Sequence, residues 1–433
     1  MTACYRSLLV LTLVGTLQFA APAAAQTDQV LVWNETAVNT AIANGQNPFF
    51  QARTGAIVQL AVFEAVNAIT GDYEPYLGTS IVPAGVSAEG ASAEAAAVAA
   101  AYRVLTTYFG ADPATAATLD AARATSLASI PDGPAETDGV AIGEAAAAAM
   151  TALRANDGSL PAQFYVPGAA TPGVWQTTPS CPINPATGLA RGVLLQWRNV
   201  TPFGIDSAAD FIPGQPPALT SNAYRKDYDE VKTFGSLNST QRPQERTDNS
   251  KFYAVSSPTY LFDSALRQIA TSQGDSLAEN ARALAVVNMA INDALVVSFA
   301  TKYQSLLWRP ETAIRAGDTD GNARTDPDPG FLPLILTPCF PSYPSNHASG
   351  SGAGAEALRR LYGAGGHDIT LTTPTLPAIV KHYTTLNQIT DDVDDARVFG
   401  GIHFRFDQEA GNRLGREVAT EVVKSNLRPV HGQ

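Results

Sequence analysis

Three residue types are scarce in this sequence of 433 residues, which contains three cysteines, three methionines and five histidines. So few cysteines exclude a small disulfide-stapled fold and a zinc site built on cysteine pairs. Charged residues make up only 16% of the chain, and 28 Lys and Arg against 40 Asp and Glu give a formal net charge of −12. Because nucleic-acid binding normally needs a basic surface, no nucleic-acid partner is expected. Any anion that the chain binds must be held by a local group of cations.

Long apolar runs are also few, and the first has the features of a secretory signal peptide. Arg6 precedes an apolar run from Ser7 to Ala21, and small residues follow at positions 23–25. We therefore expect residues 1–25 to be a signal peptide and the mature chain to be secreted or periplasmic. An uncleaved membrane anchor is the alternative. No later stretch has 18 uninterrupted apolar residues, so a soluble mature protein without membrane contact is expected.

Two cysteines remain after removal of the predicted signal peptide, which contains Cys4. In an oxidising compartment, Cys181 and Cys339 can form a disulfide, but a single pair has no diagnostic spacing. Two separate buried thiols are the alternative, and the sequence leaves both open.

Helical patterns dominate the rest of the chain. Residues 52–66 are apolar over a broad face, and the alanine-rich stretches 91–103 and 140–154 are strong helix formers. Pro, Gly, Asn, Thr and Ser interrupt every run between 156 and 250, which predicts long ordered loops with short helices such as Ser221 to Thr233. No sustained strand alternation is present. Helical patterns return over residues 259–309, 347–363, 375–390 and 403–426.

A weak internal repeat suggests a duplicated helical plan. Six residues near the start of the first apolar helix recur 229 residues later, beginning with Ala52 as Ala281 and Arg53 as Arg282. Similar composition of two alanine-rich helices is the alternative explanation. The predicted fold is all-α, with two packed helical bundles and long irregular loops. The predicted organisation is a signal peptide over 1–25, an N-terminal scaffold bundle over 26–155, an irregular connecting region over 156–250 and a C-terminal bundle over 251–433 that carries the chemistry.

The first stretch that carries chemistry is Lys302-Tyr-Gln-Ser-Leu-Leu-Trp-Arg309-Pro310. Lys302 and Arg309 are seven residues apart, so on one continuous helix they project in nearly the same direction, and Pro310 is expected to end that helix. Two cations at a helix end suit an anion with several oxygens, since arginine offers a planar fork and lysine a point charge. A solvated basic stripe is the alternative.

The second stretch is Pro344-Ser345-Asn346-His347, followed by small residues through Gly354. Serine is a favoured N-cap, so Ser345 predicts a helix start whose free N–H groups can hold an anion. His347 then lies in the first turn beside that anion, and the small residues allow close helix packing. A histidine that only makes a structural hydrogen bond is the alternative.

The third stretch contains Arg397, a Gly400-Gly401 turn, His403 and Asp407. Asp407 follows His403 by four residues, which predicts that both lie on one helix face. A carboxylate on one imidazole nitrogen fixes the tautomer and leaves the other nitrogen basic, as a nucleophile or a ligand requires. Arg397 can fold back across the turn toward the same point.

Taken together, these stretches resemble the superfamily of vanadium haloperoxidases, bacterial acid phosphatases and type 2 phosphatidic acid phosphatases. Its signatures Lys-x6-Arg-Pro, Pro-Ser-Gly-His and Ser-Arg-x5-His-x3-Asp are matched in order and in internal spacing. Two residues depart from them. Asn346 stands in place of the glycine. Because asparagine tolerates left-handed backbone geometry, its backbone N–H is expected to remain a donor to the anion. Its side-chain amide can instead crowd the anion or hydrogen-bond to it. Ala396 stands at the serine, with little expected effect.

The resemblance implies a mostly helical fold of four-helix bundles, of which soluble haloperoxidases carry two, and a vanadate cofactor. It also implies that halide is oxidised by hydrogen peroxide and that a small organic acceptor takes up the oxidised halogen. In this scheme Lys302 additionally polarises the oxygen that halide attacks. The implied roles are oxyanion binding by Lys302, Arg309, Arg397, Ser345 and the backbone N–H of Asn346, axial vanadium ligation by His403, acid–base catalysis by His347 and orientation of His403 by Asp407.

Peroxidase and phosphatase activities share this core chemistry, so the surrounding sequence has to separate them. Soluble acid phosphatases are much shorter and lipid phosphatases are built from membrane spans, which favours the haloperoxidase branch. Trp308 and the aromatic run from Phe340 also resemble that branch and are candidates for a halide pocket, although core packing explains Phe340 equally well. The alternatives are a periplasmic phosphatase with a phosphorylated His403 and no cofactor, and a helical binding protein whose pocket has lost its activity.

Overall fold

Thirteen α-helices and one pair of strands form the part of the chain that the computed structural model describes, residues 28–430. The predicted signal peptide lies outside the described residues. The helices are α1 (Gln29–Ala43), α2 (Pro48–Thr70), α3 (Ala93–Phe109), α4 (Pro113–Leu127), α5 (Pro134–Leu153), α6 (Asn222–Phe234), α7 (Gln244–Ala254), α8 (Pro258–Gln273), α9 (Leu277–Ser305), α10 (Pro310–Arg315), α11 (Asn346–Tyr362), α12 (Leu386–Phe399) and α13 (Arg405–Ser425). The strands are β1 (Gly365–Leu371) and β2 (Lys381–Thr385). The prediction of a helical fold is confirmed, and α6 lies where a short helix was expected.

Helix α9 is the central element of the core. Its start is fixed by a capping box between Ser276 and Glu279, and almost every side chain along it is buried. It contacts α2, α11 and α13. By length and composition it could cross a membrane, but 94% of its most apolar window is buried inside the protein. Such burial is typical of a core helix.

The two helices that share the repeated pattern, α2 and α9, pack against each other. They begin at Pro48 and Leu277, positions with the same separation as the repeated residues. The contact is close: a Cβ atom added to Gly55 would lie 2.5 Å from Oδ1 of Asn288. Side chains from both helices belong to one continuous apolar core, which joins the N-terminal and C-terminal helices.

The helix predicted over residues 375–390 is wrong in its first half. Residues 381–385 form β2, which pairs antiparallel with β1 and places Ile369 opposite Tyr383, and α12 begins only at Leu386. Prolines at 374 and 377 oppose an earlier helix start. The strands are too short for the sustained alternation that sequence analysis requires, although buried and exposed residues alternate over most of β1.

Cys181 and Cys339 form a disulfide, which decides between the two alternatives left open by the sequence. Their Cα atoms are 5.3 Å apart and the bond closes 158 residues of sequence. It ties the irregular region to the segment directly before Phe340. The disulfide therefore fixes the loops of the middle region over the C-terminal helices.

Close packing of α11 on α13 sets the distance between two of the chemical stretches. A Cβ atom on Gly411 would lie 2.7 Å from the carbonyl oxygen of Ser345, and one on Gly415 would lie 2.2 Å from that of Ser349. The backbones approach this closely because small residues line both helices. The N–H of Ser345 also donates to the carbonyl of Asp407 (2.9 Å), which joins the two helix starts directly.

We expect Gly415→Ala to destabilise the protein by about 1–3 kcal/mol, because the added methyl group must push α11 away from α13. This loss outweighs the gain in helix propensity of up to about 1 kcal/mol. Urea unfolding followed by circular dichroism measures it, with Glu417→Ala, an exposed position on α13, as control. An unchanged midpoint for Gly415→Ala would show that the helices can separate without cost.

Candidate functional site

A cavity of about 740 Å³ is lined by residues of the second and third chemical stretches, and Arg309 of the first stretch contacts His403 in its lining. Its wall is mainly apolar and is built by the start of α2, the irregular region and the segment around the disulfide. Its arginine and histidine side chains come from α11, α12 and the turn before α13. The lining includes Phe49, Phe50, Leu160, Phe164, Val193, Leu295, Leu336, Phe340, Asn346, His347, Arg397 and His403. The Pro- and Gly-rich middle of the chain thus covers the site.

Lys302 and Arg309 do not lie on one helix, which corrects the sequence prediction. Helix α9 ends at Ser305, and Leu306 adopts a left-handed conformation with φ 51°. The chain turns there, so Arg309 lies directly before α10, and Pro310 begins that helix instead of ending the previous one. Both cations are nevertheless fully buried, and both lie near the ring of Phe340, which lines the cavity.

Lys302 directs its ammonium group toward backbone carbonyls. Its Nζ donates to the carbonyls of Pro341 (2.9 Å), Ser342 (2.7 Å) and Pro344. An ammonium has three N–H donors, so this set of contacts uses all of them. Burial and the charge of Arg309 hold the pKa of Lys302 well below its usual range. The direct contact of Lys302 with the oxyanion stays a prediction, and in this structure its ammonium group holds the segment 341–344.

The two arginines keep unused N–H groups. Arg309 donates from Nε to the carbonyl of Phe340 (2.8 Å) and from Nη1 to that of Ile402 (2.9 Å). Arg397, in the last turn of α12, donates from Nη1 to the carbonyl of Tyr253 (3.3 Å). Nη2 of Arg309 and Nε of Arg397 are buried without a partner among the described residues. Burial lowers the pKa of each guanidinium to about 9.

His403 and Asp407 form the expected hydrogen bond, although His403 precedes α13 and does not lie on it. The distance from His403 Nδ1 to Asp407 Oδ2 is 2.8 Å, and Nη1 of Arg309 lies 2.9 Å from His403 Nε2. Because an arginine N–H can only donate, Nε2 is the accepting nitrogen and Nδ1 carries the proton. Burial and the neighbouring cations hold the pKa of His403 well below its usual value.

Asp407 Oδ2 accepts two further hydrogen bonds besides that of His403. The Ser342 hydroxyl donates to it at 2.6 Å and the N–H of Phe404 at 3.1 Å. Burial raises the pKa of Asp407 to about 6, against the hydrogen bond from Ser342, which lowers it. Sequence reasoning gave Ser342 no role, and its place in the run Pro-Ser-Tyr-Pro is the one signal that could have pointed to it.

Helix α11 begins as predicted at Ser345, whose Oγ accepts from the N–H of Ala348 (3.4 Å). Asn346 is the first residue of this right-handed helix, so the left-handed geometry expected for it is wrong. Its Oδ1 accepts from the hydroxyl of Ser298 (2.6 Å), while its Nδ2 has no partner within residues 28–430. His347 lies in the first turn and lines the cavity, and burial and the charge of Arg397 hold its pKa well below the usual value.

The two aromatic candidates for a halide pocket are placed differently. Phe340 lines the cavity, and its ring centroid lies 5.4 Å from Nζ of Lys302 and 5.1 Å from Cζ of Arg309. Trp308 is buried in a separate aromatic cluster and donates from Nε1 to the hydroxyl of Tyr224 (3.2 Å). It does not line the cavity. The position of Trp308 therefore gives no support to a halide contact.

The donor set fits a tetrahedral oxyanion such as vanadate. Arg309 Nη2, Arg397 Nε and Asn346 Nδ2 are buried donors that lack an acceptor among the described residues. Unpaired buried N–H groups are costly, and an anion with several oxygens would satisfy them together. The accepting nitrogen of His403 lies 2.9 Å from Nη1 of Arg309, and His403 lines the same cavity as Arg397 and Asn346.

Comparison with known proteins supports the resemblance stated from the motifs. Residues 282–432 match the family model described as VCPO second helical-bundle domain. The chain is 25% identical over 268 residues to vanadium chloroperoxidase from Curvularia inaequalis, an alignment that covers 46% of this chain and 43% of the relative. The chain thus spans less than half the length of this curated relative.

Solved structures show that the similarity of fold extends over nearly the whole chain. The crystal structure of the first bacterial vanadium-dependent iodoperoxidase matches with a TM-score of 0.78 at 23% identity, covering 95% of this chain and 100% of that one. An apo-type bacterial vanadium-dependent chloroperoxidase matches with a TM-score of 0.69 at 18% identity, covering 87% and 94%. These matches confirm the resemblance to vanadium haloperoxidases, and the match to the family model is confined to residues 282–432.

Proposed function

We propose that this chain is a vanadate-dependent haloperoxidase that oxidises halide with hydrogen peroxide to a hypohalous acid equivalent. The observation that carries this proposal is the meeting of unpartnered buried N–H donors with the accepting nitrogen of His403 at one cavity floor. When bound, vanadate would supply a Lewis-acidic centre that activates hydrogen peroxide toward attack by halide. Arg309 and Arg397 would hold its oxygens, with Ser345 and the backbone N–H of Asn346 at the start of α11.

His403 would bind the oxyanion centre through Nε2, the nitrogen that its hydrogen bond to Asp407 leaves free of a proton. In this structure Nη1 of Arg309 donates a hydrogen bond to the same nitrogen, and it would donate to an oxygen of the bound anion instead. Lys302 would act through its buried charge across residues 341–344, whose carbonyls it holds. This arrangement keeps the nucleophilic nitrogen basic inside a strongly cationic site.

His347 would take up a proton from hydrogen peroxide and later return one to the leaving oxygen. The group suits this exchange because its imidazole is neutral at rest and lines the cavity. Its position in the first turn of α11 places it beside the N–H groups that would hold the anion.

The cavity wall supports a small apolar organic molecule as the acceptor of the oxidised halogen. Leu160 and Leu336 on this wall are 70% and 77% exposed, and Phe50 and Phe164 extend the apolar surface toward the floor. A polar acceptor would find few partners there. The apolar run and small residues within 1–25 support secretion to the periplasm or the exterior.

A periplasmic phosphatase would use the same pocket with a phosphorylated His403, and one experiment separates the two activities. We expect the purified protein to brominate a dye when bromide, orthovanadate and hydrogen peroxide are present. In the absence of vanadate, we expect it to release no nitrophenol from nitrophenyl phosphate. Nitrophenol release without bromination would favour the phosphatase. Inactivity in both assays would favour a binding protein.

In the same assay, His403→Ala is expected to lower the bromination rate by at least about 100-fold, since partners of metal-ligating histidines alone contribute 10–100-fold. His382→Ala is the matched control, because this histidine is exposed on β2 and hydrogen-bonds Thr370. The control should keep the wild-type rate. Full bromination by His403→Ala would exclude its proposed role.

Asp407→Asn is expected to weaken binding of orthovanadate by about 10–100-fold. The amide keeps the shape of the carboxylate but removes the negative charge that makes Nε2 of His403 basic. Isothermal titration calorimetry measures the affinity without peroxide. Glu409→Gln, an exposed carboxylate in the same turn of α13, is the control, and equal affinities for both variants would contradict the orienting role.

The neutral state of His347 predicts a pH-dependent stability difference between the wild type and His347→Gln. The native imidazole stays neutral, while the unfolded chain takes up a proton below about pH 6.5. As the pH falls from 7 to 5, the wild type should therefore lose stability relative to the variant, by up to about 1.4 kcal/mol per pH unit.

Urea unfolding at both pH values measures this difference, with His382→Gln as the control for removal of an exposed imidazole. A constant difference between the wild type and His347→Gln would show that the native imidazole is protonated like the unfolded one. In that case, His347 could not enter the reaction as a neutral base.

A further inference from the structure

The side-chain amide of Asn346 is a donor that the fold leaves unused at the cavity floor. Asn346 is 5% exposed and lines the cavity. Its Oδ1 accepts a hydrogen bond of 2.6 Å from the hydroxyl of Ser298, which is fully buried on α9. Its Nδ2 has no partner in the part of the chain that the structure describes.

The contact with Ser298 fixes how the amide is turned. An amide is planar and carries its acceptor and its two donors on opposite branches, so binding Oδ1 to α9 directs Nδ2 away from Ser298. Burial of an unpaired NH₂ group is costly unless a ligand accepts from it. Asn346 therefore has the geometry of a preset donor.

Two neighbouring groups need an acceptor in the same way. Nη2 of Arg309 and Nε of Arg397 are buried and unpartnered among residues 28–430. The three groups come from separate elements, namely the segment before α10, the end of α12 and the start of α11. An acceptor shared by all three must carry several oxygens, and two of the donors favour a negative charge.

We propose that Asn346 Nδ2 donates a hydrogen bond to an oxygen of the tetrahedral oxyanion, and that Ser298 is the positioning residue that holds the amide for this purpose. The proposal rests on the proposed function, because it concerns the same oxyanion site. Glycine, the residue of the motif at this position, offers only its backbone N–H. The replacement of that glycine by Asn346 thus adds a side-chain donor to the site.

Binding of inorganic phosphate and of orthovanadate to the full chain, measured by calorimetry without peroxide, tests the proposal. Asn346→Ala should bind both anions about tenfold more weakly, as expected for loss of one hydrogen bond to a charged group. Asn346→Asp should bind more weakly still, because it keeps an oxygen for Ser298 but turns a second oxygen toward the anion. Asn387→Ala, which removes an exposed amide on α12, is the matched control.

Ser298→Ala tests the positioning role in a double-mutant cycle. It should weaken anion binding in the wild-type background, because the freed amide can rotate, and should have no effect in the Asn346→Ala background. Equal effects of Ser298→Ala in both backgrounds would overturn this role, since they would show that the serine acts through packing alone.

Selective ¹⁵N labelling of asparagine gives a readout that does not depend on activity. The Nδ2 resonance that is missing from Asn346→Asp should shift when phosphate is added to the wild type. A wild type that binds phosphate without this shift, or an Asn346→Ala variant with wild-type affinity, would overturn the inference alone. A wild type that binds neither anion would overturn the proposed function as well.

Discussion

The burial of three cations around one histidine is the constraint on which the rest of the site depends. Lys302, Arg309 and Arg397 are at most 4% exposed, and the hydrogen bonds described above direct them to backbone carbonyls and to His403. Taking such charges out of water costs several kcal/mol each unless they are paired, and the lowered pKa values of both guanidinium groups express that cost. The buried carboxylate of Asp407 offsets part of it. A bound oxyanion would offset the rest, because it would accept hydrogen bonds from the unpartnered donors of Arg309 and Arg397.

This local positive charge exists within a chain whose formal net charge is −12. The overall field would therefore repel an approaching anion, so its binding would depend on short-range contacts inside a low-dielectric cavity. Close packing of α11 on α13 keeps those contacts in register. Because Gly415 lets the two backbones approach closely at Ser349, the start of α11 lies near enough to Asp407 for the N–H of Ser345 to donate to its carbonyl.

Much of this arrangement could be predicted from the sequence, and the failures have a common cause. The cap at Ser345 and the pairing of His403 with Asp407 depend on residues a few positions apart, so local rules were sufficient. The path between Lys302 and Arg309 was wrong because local rules do not anticipate a left-handed Leu306, which the surrounding packing must hold. The β2 strand was missed because its pairing with β1 decides its conformation. The hydrogen bonds from Ser342 to Asp407 and from Ser298 to Asn346 join residues that are 65 and 48 positions apart. Hydrophobic periodicity in the sequence cannot predict such long-range contacts.

The contacts of Lys302 connect the fold to the chemistry in a way that the motif alone does not indicate. Its ammonium group holds the carbonyls of residues 341–344, and this short segment also carries Ser342, which donates to Asp407. Asp407 in turn fixes the proton on Nδ1 of His403. The lysine therefore acts on the accepting nitrogen of His403 along two routes, through its charge and through the segment that it holds. Since both routes end at His403, the lysine of this motif can shape the site even when all three of its protons are bound by the backbone.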